Sequence, residues 1–257
     1  MAIDKYKYYS IAAQASKTIG SHPGLVYIQQ QAKIAKKILD VGCGEGSRLD
    51  TLLPEGKAAW GVDIDPYAVN LAKKQYPWHN FQLYSGTQLP FSAGEFDLVY
   101  SAFVLEHTIN PKKFIDELVR VGKQVVILCP NFGAPNRRSP NSVENPLIKL
   151  LWGFINDYKH NDDFKFTKVI PQTSYDLIDA DTSVEPYLLS LVKYLGSLGH
   201  RVEIYSSLWE LEPISFNPRK LLIMLLGKLG IFPFRHWGPQ IFVSIKVRAV
   251  PQLKHQK

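Results

Sequence analysis

The feature that most constrains the fold is a glycine-rich turn that directly follows a short apolar run. Residues 38–46 have the sequence ILDVGCGEG, in which a buried-type strand ends and Gly42, Gly44 and Gly46 lead into a helical pattern. Glycine at such a place lets the backbone approach a ligand closely, because a Cβ atom would occupy the ligand's space. The turn therefore predicts an α/β unit with a ligand site at the carboxyl end of its first strand.

Apolar runs alternate with helical patterns between residues 37 and 131, which is typical of a parallel sheet flanked by helices. Strands are predicted at 37–41, 58–64, 79–84, 96–100, 124–129, 201–206 and 240–248. Helices are predicted at 46–53, 66–75, 111–121 and 185–198. This order predicts a doubly wound, Rossmann-like α/β sheet of about seven strands.

Composition limits the classes of protein that fit this fold. A chain of 257 residues with two cysteines has no disulfide framework, so we expect a reducing, cytoplasmic location. The first ten residues contain no apolar core of a secretory signal, and no apolar run reaches the length of a membrane span. The net charge is +7, and no acidic residue follows Glu212. This excess favours an anionic neighbour or a solvated basic face.

An acidic residue closes the second predicted strand. Asp63 is the next-to-last residue of the stretch AAWGVDI and lies 23 positions after Asp40. A carboxylate at this place can accept both hydroxyl groups of a ribose; the alternative is that Asp63 and Asp65 cap the helix that begins at Pro66. The turn has the spacing G-x-G-x-G, with Ser47 where a dinucleotide fingerprint has its third glycine, which weakens a nicotinamide assignment.

Three stretches together resemble a known family. ILDVGCGEGSRL, GVDIDPYAVNLAKK and LPFSAGEFDLVYSAFVLEHTINP are similar to class I S-adenosylmethionine-dependent methyltransferases of the methyltransferase domain 11 type. The resemblance covers about 38–131 and, loosely, 187–206. It implies one domain over 1–257, with a mostly parallel seven-stranded sheet whose last strand is antiparallel. A helical cap over 1–36 and substrate-side insertions at 131–181 and 208–239 complete this organisation.

The resemblance also implies a cofactor and the residues around it. The cofactor would be S-adenosyl-L-methionine, and the product S-adenosyl-L-homocysteine. Asp40, Gly42 and Gly44 would line the methionine moiety, with Cys43 in the same stretch, while Asp63 would hold the ribose. The other implied contacts are Ile64 on the adenine, Ser85 and Gly86 near the adenine amino group, and Ala102 and Phe103 beside the methyl group. Relatives often carry aspartate where Ser85 stands.

Methyl transfer from a sulfonium requires alignment and exclusion of water more than it requires a fixed catalytic residue. An oxygen nucleophile also needs a base. His107, after the fourth strand, is the candidate base, and the alternative is that it packs at a helix end. Asn131 either positions a substrate hydroxyl or belongs to a turn. No histidine, cysteine or acidic spacing matches a zinc or calcium site, so we expect no metal.

The two insertions are rich in aromatic and basic residues, which suits a small-molecule acceptor with an apolar part and an anionic end. An O- or N-methyltransferase acting on a small molecule or saccharide precursor is therefore the first hypothesis. The second is a membrane-surface methyltransferase of a lipid or quinone, with 219–237 as an interfacial element rather than core cover. The third is a non-catalytic or nicotinamide-binding protein. Nucleic acid is not expected, and near the amino terminus Tyr6, Tyr8 and Tyr9 either close the site or simply pack.

Overall fold

A seven-stranded sheet organises the computed structural model, which describes residues 5–16, 22–132, 134, 165–166, 184–204, 218–231, 234, 238 and 240–247. The strands of this sheet are β1 (Ile38–Val41), β2 (Trp60–Asp63), β3 (Asn80–Leu83), β4 (Phe96–Ala102), β5 (Gly122–Pro130), β8 (Arg201–Ile204) and β9 (Gln240–Lys246). Two further short strands, β6 (Lys165–Phe166) and β7 (Val184–Glu185), pair only with each other in the described part of the chain.

The described helices are α1 (Lys5–Ser16), α2 (Pro23–Ile34), α3 (Ser47–Leu52), α4 (Pro66–Gln75), α5 (Pro111–Val121), α6 (Leu188–Ser197) and α7 (Pro218–Lys228), with a 3₁₀ turn at Leu105–His107. None of these helices is long and apolar enough to cross a membrane. The predicted helices at 66–75 and 111–121 are confirmed, and each has proline in its first turn and an Asx cap, Asp65 and Asn110 respectively.

The strand order is β3-β2-β1-β4-β5-β9-β8. All neighbours are parallel except those of β9, which runs antiparallel to both β5 and β8. The predicted doubly wound sheet with an antiparallel last strand is therefore confirmed. Connections from β1 and from β4 leave in opposite directions along the sheet, which places a switch point and a crevice between the carboxyl ends of these two strands.

Each face of the sheet buries its own core, because successive residues of a strand point to opposite faces. On one face, Leu39 and Val41 pack with residues of α5 and α6. On the other face, Ile38 packs with residues of α2, α3 and α4. Burying one such side chain stabilises the fold by about 1.5–3 kcal/mol. Within the predicted cap over 1–36, α2 therefore belongs to the helix layer of the sheet, and α1 lies outside it.

One predicted helix begins later than its pattern indicated. The pattern places a helix at 185–198, but α6 covers 188–197, and the preceding residues 184–185 form β7 against 165–166. A strand of two residues is too short to show a period of two, so the hydrophobic pattern of the sequence could not reveal it. Most of the predicted insertions 131–181 and 208–239 lie outside the described residues.

Candidate functional site

The three glycines of the turn after β1 have positive φ, but they serve different purposes. Their φ angles are 83° at Gly42, 55° at Gly44 and 86° at Gly46. A Cβ on Gly42 would lie 2.3 Å from Cγ2 of Val104, and one on Gly46 would lie 2.7 Å from Cζ of Phe81. At Gly44 the nearest atom, 3.8 Å away, belongs to Tyr9. Of the three, only Gly44 could carry a Cβ without a clash, at ordinary contact distance from Tyr9, and protein packing already explains the glycine at position 42.

Asp63 ties the end of β2 to this turn. Its Oδ2 accepts a hydrogen bond from the Gly44 backbone N–H at 2.8 Å, and its Oδ1 accepts one from the Asp65 N–H at 2.9 Å. Burial raises the pKa of Asp63, and these hydrogen bonds work against that rise. The first turn of α4 is capped by Asp65, whose Oδ1 accepts from the Tyr67 N–H. Asp63 is therefore free of the capping role, and each of its oxygens keeps a lone pair.

Helix α1 is fastened across the outside of the turn through Asp65. The Lys5 ammonium lies 2.9 Å from Asp65 Oδ1, and the Tyr9 hydroxyl donates to Oδ2 at 2.8 Å. The buried Tyr9 ring also stacks on Tyr67 with centroids 6.0 Å apart. Of the three amino-terminal tyrosines, Tyr9 is the one that the structure brings against the glycine turn, while Tyr6 is mostly exposed.

On the other side of Asp63, an apolar surface is open to solvent. Ile64 is 62% exposed, and a Cβ on Gly86 would lie 3.3 Å from Ile64 Cγ2. Ser85 is exposed, and its hydroxyl lies 2.8 Å from that of Thr87. The Cys43 side chain, by contrast, is buried in the core next to Gly61, and burial raises the pKa of its thiol. Any ligand contact by Cys43 would therefore be made by its backbone.

The end of β4 carries a strained residue that the sequence did not reveal. Phe103 has φ of 61° and is the non-glycine residue with positive φ in the described part of the chain. Its N–H donates to the Leu128 carbonyl oxygen at 2.7 Å, which holds it in this conformation. Such backbone strain costs about 1–2 kcal/mol and is found preferentially at functional sites.

Two basic side chains that sequence reasoning missed surround Phe103. Arg48 Nη1 donates to the carbonyl oxygen of the buried Ala102 at 2.7 Å. The His22 ring meets the Phe103 ring edge to face with centroids 5.9 Å apart, and His22 Nε2 lies 2.8 Å from Gln240 Oε1. No local pattern marks Arg48 or His22, because their contacts join segments that are far apart in sequence.

Asp40 lies below this cluster, on β1. It is buried, and its Oδ2 has no hydrogen-bond partner among the described residues. Burial raises the pKa of Asp40 to about 7, an effect that the nearby positive charge of Arg48 partly offsets. The crevice between β1 and β4 thus holds an unsatisfied buried carboxyl group next to an arginine.

His107 ends the 3₁₀ turn after β4, and its Nε2 lies 3.9 Å from Oε1 of the buried Glu106. The imidazole is partly exposed. Asn131 is buried, and its Nδ2 donates to the Gly238 carbonyl oxygen at 2.9 Å. Asn131 therefore holds the end of β5 to the segment before β9.

Comparison with known proteins agrees with this geometry. Residues 39–129 match the family model described as a methyltransferase domain. This match agrees with the resemblance of the same segment to S-adenosylmethionine-dependent methyltransferases. The chain is 36% identical over 110 residues to the tocopherol O-methyltransferase of Arabidopsis thaliana, which covers 39% of this chain and 32% of that protein. It is 34% identical over 103 residues to the ubiquinone biosynthesis O-methyltransferase of Schizosaccharomyces pombe, which covers 37% and 36% respectively.

The chain spans only about a third of the length of each of these two relatives. Among solved structures, the plantazolicin methyltransferase BpumL, in complex with S-adenosylhomocysteine, has a TM-score of 0.56 at 17% identity. That likeness covers 95% of this chain and 91% of BpumL, and it extends the agreement in fold beyond the matched segment.

The residues of the methyltransferase domain fit its cofactor, S-adenosylmethionine. A ribose needs hydrogen-bond acceptors, and Asp63 keeps lone pairs at the mouth of the crevice. An adenine needs an apolar platform, and Ile64 is exposed beside Gly86. A Cβ at Gly44 would meet no atom closer than Tyr9 at 3.8 Å, so the backbone there is not packed as tightly as at Gly42 and Gly46. The residues that would hold the cofactor are Asp63, Ile64 and Gly44, with Phe103 at the opposite side of the crevice.

Proposed function

We propose that the chain is a methyltransferase that moves a methyl group from S-adenosylmethionine to an oxygen or nitrogen of a small molecule, such as a saccharide precursor. The observation that carries the proposal is the bond between Asp63 Oδ2 and the Gly44 N–H, which joins the carboxyl ends of two adjacent parallel strands. A carboxylate and an open glycine backbone at this place form a cradle suited to an adenosyl group.

When bound, the cofactor supplies a methyl group already activated by a sulfonium. The chain's own residues bind and orient the cofactor. Asp63 accepts hydrogen bonds from the ribose hydroxyls, and Ile64 covers the adenine. Helix α1, fastened by Tyr9 and Lys5 to Asp65, covers the glycine turn and limits the access of water. Exclusion of water and fixed orientation are the main contributions that such a displacement needs from a protein.

His107 is the proposed base for an oxygen acceptor. It follows β4 by five positions, and its imidazole is partly exposed. For an oxygen acceptor, we expect His107→Gln to lower kcat about 100-fold, since a positioned base contributes factors of this order. The dissociation constant of S-adenosylhomocysteine should stay unchanged. A His107→Gln enzyme with the kcat of the original would assign His107 to packing.

Calorimetry and label transfer test the proposed function. Titration with S-adenosylmethionine and S-adenosylhomocysteine should give saturable heat at one site per chain, while NAD⁺, as the matched control for the nicotinamide alternative, should give none. Incubation with methyl-labelled cofactor and a panel of phenols, amines and sugar derivatives should then transfer label to an acceptor. Heat with NAD⁺ alone would reverse the assignment, and cofactor binding without transfer to any acceptor would favour the non-catalytic alternative.

A second candidate function is methylation of a lipid or quinone at a membrane surface. Exposed apolar side chains at Leu222, Leu225 and Leu229 share one face of α7 and the turn that follows it, since they are three and four positions apart. Lys228 is exposed beside them, and the chain after Glu212 carries only basic charges. Apolar and basic side chains together suit an anionic lipid surface. Two of the relatives are named for tocopherol and for ubiquinone biosynthesis, and both of these compounds are lipid-soluble.

Vesicle co-sedimentation distinguishes this candidate from a methyltransferase of water-soluble acceptors. We expect the protein to sediment with phosphatidylglycerol-containing vesicles, and to lose this when Leu222, Leu225 and Leu229 are all replaced by serine. Ile34→Ser is the matched control, because Ile34 is 77% exposed on α2, away from this helix. Equal sedimentation of the triple variant, or none by the original protein, would remove the lipid candidate. A cytoplasmic location stays a prediction under either function.

A further inference from the structure

Arg48 spans the crevice at the switch point of the sheet. It is the second residue of α3, which follows the glycine turn after β1, and its Nη1 donates at 2.7 Å to the carbonyl oxygen of Ala102, the last residue of β4. The side chain therefore bridges the two strands whose connections diverge, which is where ligands of doubly wound sheets bind. The guanidinium also faces the Phe103 ring, with its Cζ 5.5 Å from the ring centroid.

The charge of Arg48 has no direct counterion in the described part of the chain. No carboxylate lies within 4 Å of its guanidinium there, and the Ala102 carbonyl takes one of its five N–H donors. The charge of Arg48 acts on Asp40, which burial inclines toward the neutral form. Arg120, in α5, is used differently, because it is bound to Glu117 and to two loop carbonyls. Arg48 thus retains donors and charge at the crevice.

The amino-acid end of the methyl donor carries the group that such an arginine recognises. Its α-carboxylate is planar and anionic, and a guanidinium binds a carboxylate through two parallel hydrogen bonds. With the ribose at Asp63 and the turn at Gly44 between them, the methionine part would extend along the β1–β4 crevice toward Arg48. The cluster of Arg48, Phe103 and Asp40 is then the end of the cofactor site, beyond the glycine turn.

We propose that Arg48 binds the α-carboxylate of the methionine moiety of S-adenosylmethionine. This inference rests on the proposed cofactor and adds a residue that holds the amino-acid end of it. The Ala102 hydrogen bond orients the guanidinium, and the Phe103 ring limits its rotation. The competing explanation is that Arg48 only supports the end of β4 and offsets the buried Asp40, in which case ligand carboxylates are irrelevant to it.

A calorimetric cycle of two proteins and two ligands separates these explanations. The ligands are S-adenosylhomocysteine and its decarboxylated analogue, which keeps the adenosyl group and the amine. For Arg48→Gln, we expect the dissociation constant of S-adenosylhomocysteine to rise about 10- to 100-fold, as loss of a charge-assisted hydrogen bond predicts. The decarboxylated analogue should bind both proteins equally within about threefold. The dissociation constant of S-adenosylhomocysteine for Arg48→Lys should lie between those for the original protein and for Arg48→Gln, because lysine restores the charge without the planar guanidinium.

Lys74→Gln is the matched control for net charge, because Lys74 is exposed in the last turn of α4, outside the crevice. It should leave both constants unchanged. If Arg48→Gln weakens both ligands by the same factor, or neither, Arg48 is structural and the inference is overturned. Should the variants fail to fold, the original protein alone decides: equal affinity for the two ligands would overturn a carboxylate site. If the original protein binds neither ligand, the proposed function itself fails.

Discussion

The two halves of the crevice differ in what holds them together. Around β1 and β2, the glycine turn is joined to Asp63 by a hydrogen bond from the Gly44 N–H to the Asp63 carboxylate, 19 positions along the chain. Around β4 and β5, the conformation depends on distant side chains: Arg48 binds the Ala102 carbonyl, and Asn131 binds that of Gly238. The first half is encoded in one stretch of sequence, and the second is assembled by the tertiary fold.

This difference has a consequence for how each half responds to substitution. At Asp63 and Gly44, in the β1–β2 half, a changed side chain should alter cofactor affinity while most of the protein stays intact, because their shared hydrogen bond joins nearby parts of the chain. Gly42 differs, because it packs against Val104. In the β4–β5 half, a changed side chain removes packing from several segments at once, so stability and ligand affinity should change together. Four predictions test this division, and they are arranged from the largest expected effect to the smallest.

Asp63→Ala should have the largest effect, on cofactor binding. We expect the dissociation constant of S-adenosylhomocysteine to rise at least about 100-fold, because the ribose loses two hydrogen bonds to a charged acceptor, each worth about 1.5–3 kcal/mol. Asp63→Asn keeps one carbonyl acceptor, so its dissociation constant should lie between those of the original protein and of Asp63→Ala. Calorimetry measures both constants, and circular dichroism checks the fold. A folded Asp63→Ala protein with a constant within threefold of the original would break the assignment of this half to the cofactor.

Gly42→Ala and Gly44→Ala should differ in stability, although both lie in one turn. At Gly42, strain at φ of 83° adds to a clash with Val104, so we expect a loss of about 3 kcal/mol in the free energy of unfolding. At Gly44 the space is open, and the strain alone should cost about 1 kcal/mol. Urea denaturation measures both. Val104→Ala should recover part of the Gly42→Ala loss, and equal losses without recovery would contradict the packing explanation.

The division also explains how much of the site was predictable from sequence. Asp63 and the glycines could be found because a strand, a turn and an acidic residue follow one another in a recognisable order. Nothing comparable marks Phe103, since phenylalanine does not favour positive φ and only the fold imposes it. Arg48 could not be found either, because its partner Ala102 is 54 positions away. At Gly42, the pattern predicted a glycine that a ligand approaches, whereas the structure shows a contact with Val104 that explains the glycine and that no local pattern marks.

The fold shows the same limit. The seven strands of the main sheet were predicted because each is a run of apolar residues bounded by helices or turns. Strands β6 and β7 are two residues each, which no periodicity can reveal. The start of α6 was placed three residues early for the same reason, because the buried Val184 and Glu185 continue the helical pattern into β7. Local order is therefore readable from the chain, and tertiary pairing is not.

Asp40 lies at the boundary between the halves, in register with Gly61 on β2 and Tyr100 on β4. Burial raises the pKa of Asp40 to about 7, so the folded protein keeps a proton that the unfolded chain releases above about pH 4. Its contribution to stability is therefore greatest at low pH and is lost as pH rises to 7. We expect the original protein to lose about 2 kcal/mol relative to Asp40→Asn between pH 5 and pH 7, at about 1.4 kcal/mol per pH unit.

Urea denaturation at pH 5, 6 and 7 measures this difference, and Asp97→Asn is the control. Asp97 is partly exposed, and its hydrogen bond with Lys123 lowers the pKa of its carboxyl group. Its contribution is lost only as pH falls below its ordinary range near 4, so the difference between the original protein and Asp97→Asn should be flat between pH 5 and pH 7. A flat difference for Asp40→Asn as well would mean that the crevice admits water to Asp40.

The smallest effect should come from substitutions of Phe103, where we expect glycine to give a more stable protein than alanine. Gly44 and Phe103 have nearly the same φ, 55° and 61°, but lie in opposite halves of the crevice. Because only glycine adopts this region without strain, Phe103→Gly should be about 1 kcal/mol more stable than Phe103→Ala. Both variants lose the ring contacts with His22 and Arg48, so the comparison isolates the backbone. If alanine proved the more stable of the two, Phe103 would be unstrained, and the two halves would not share this backbone requirement.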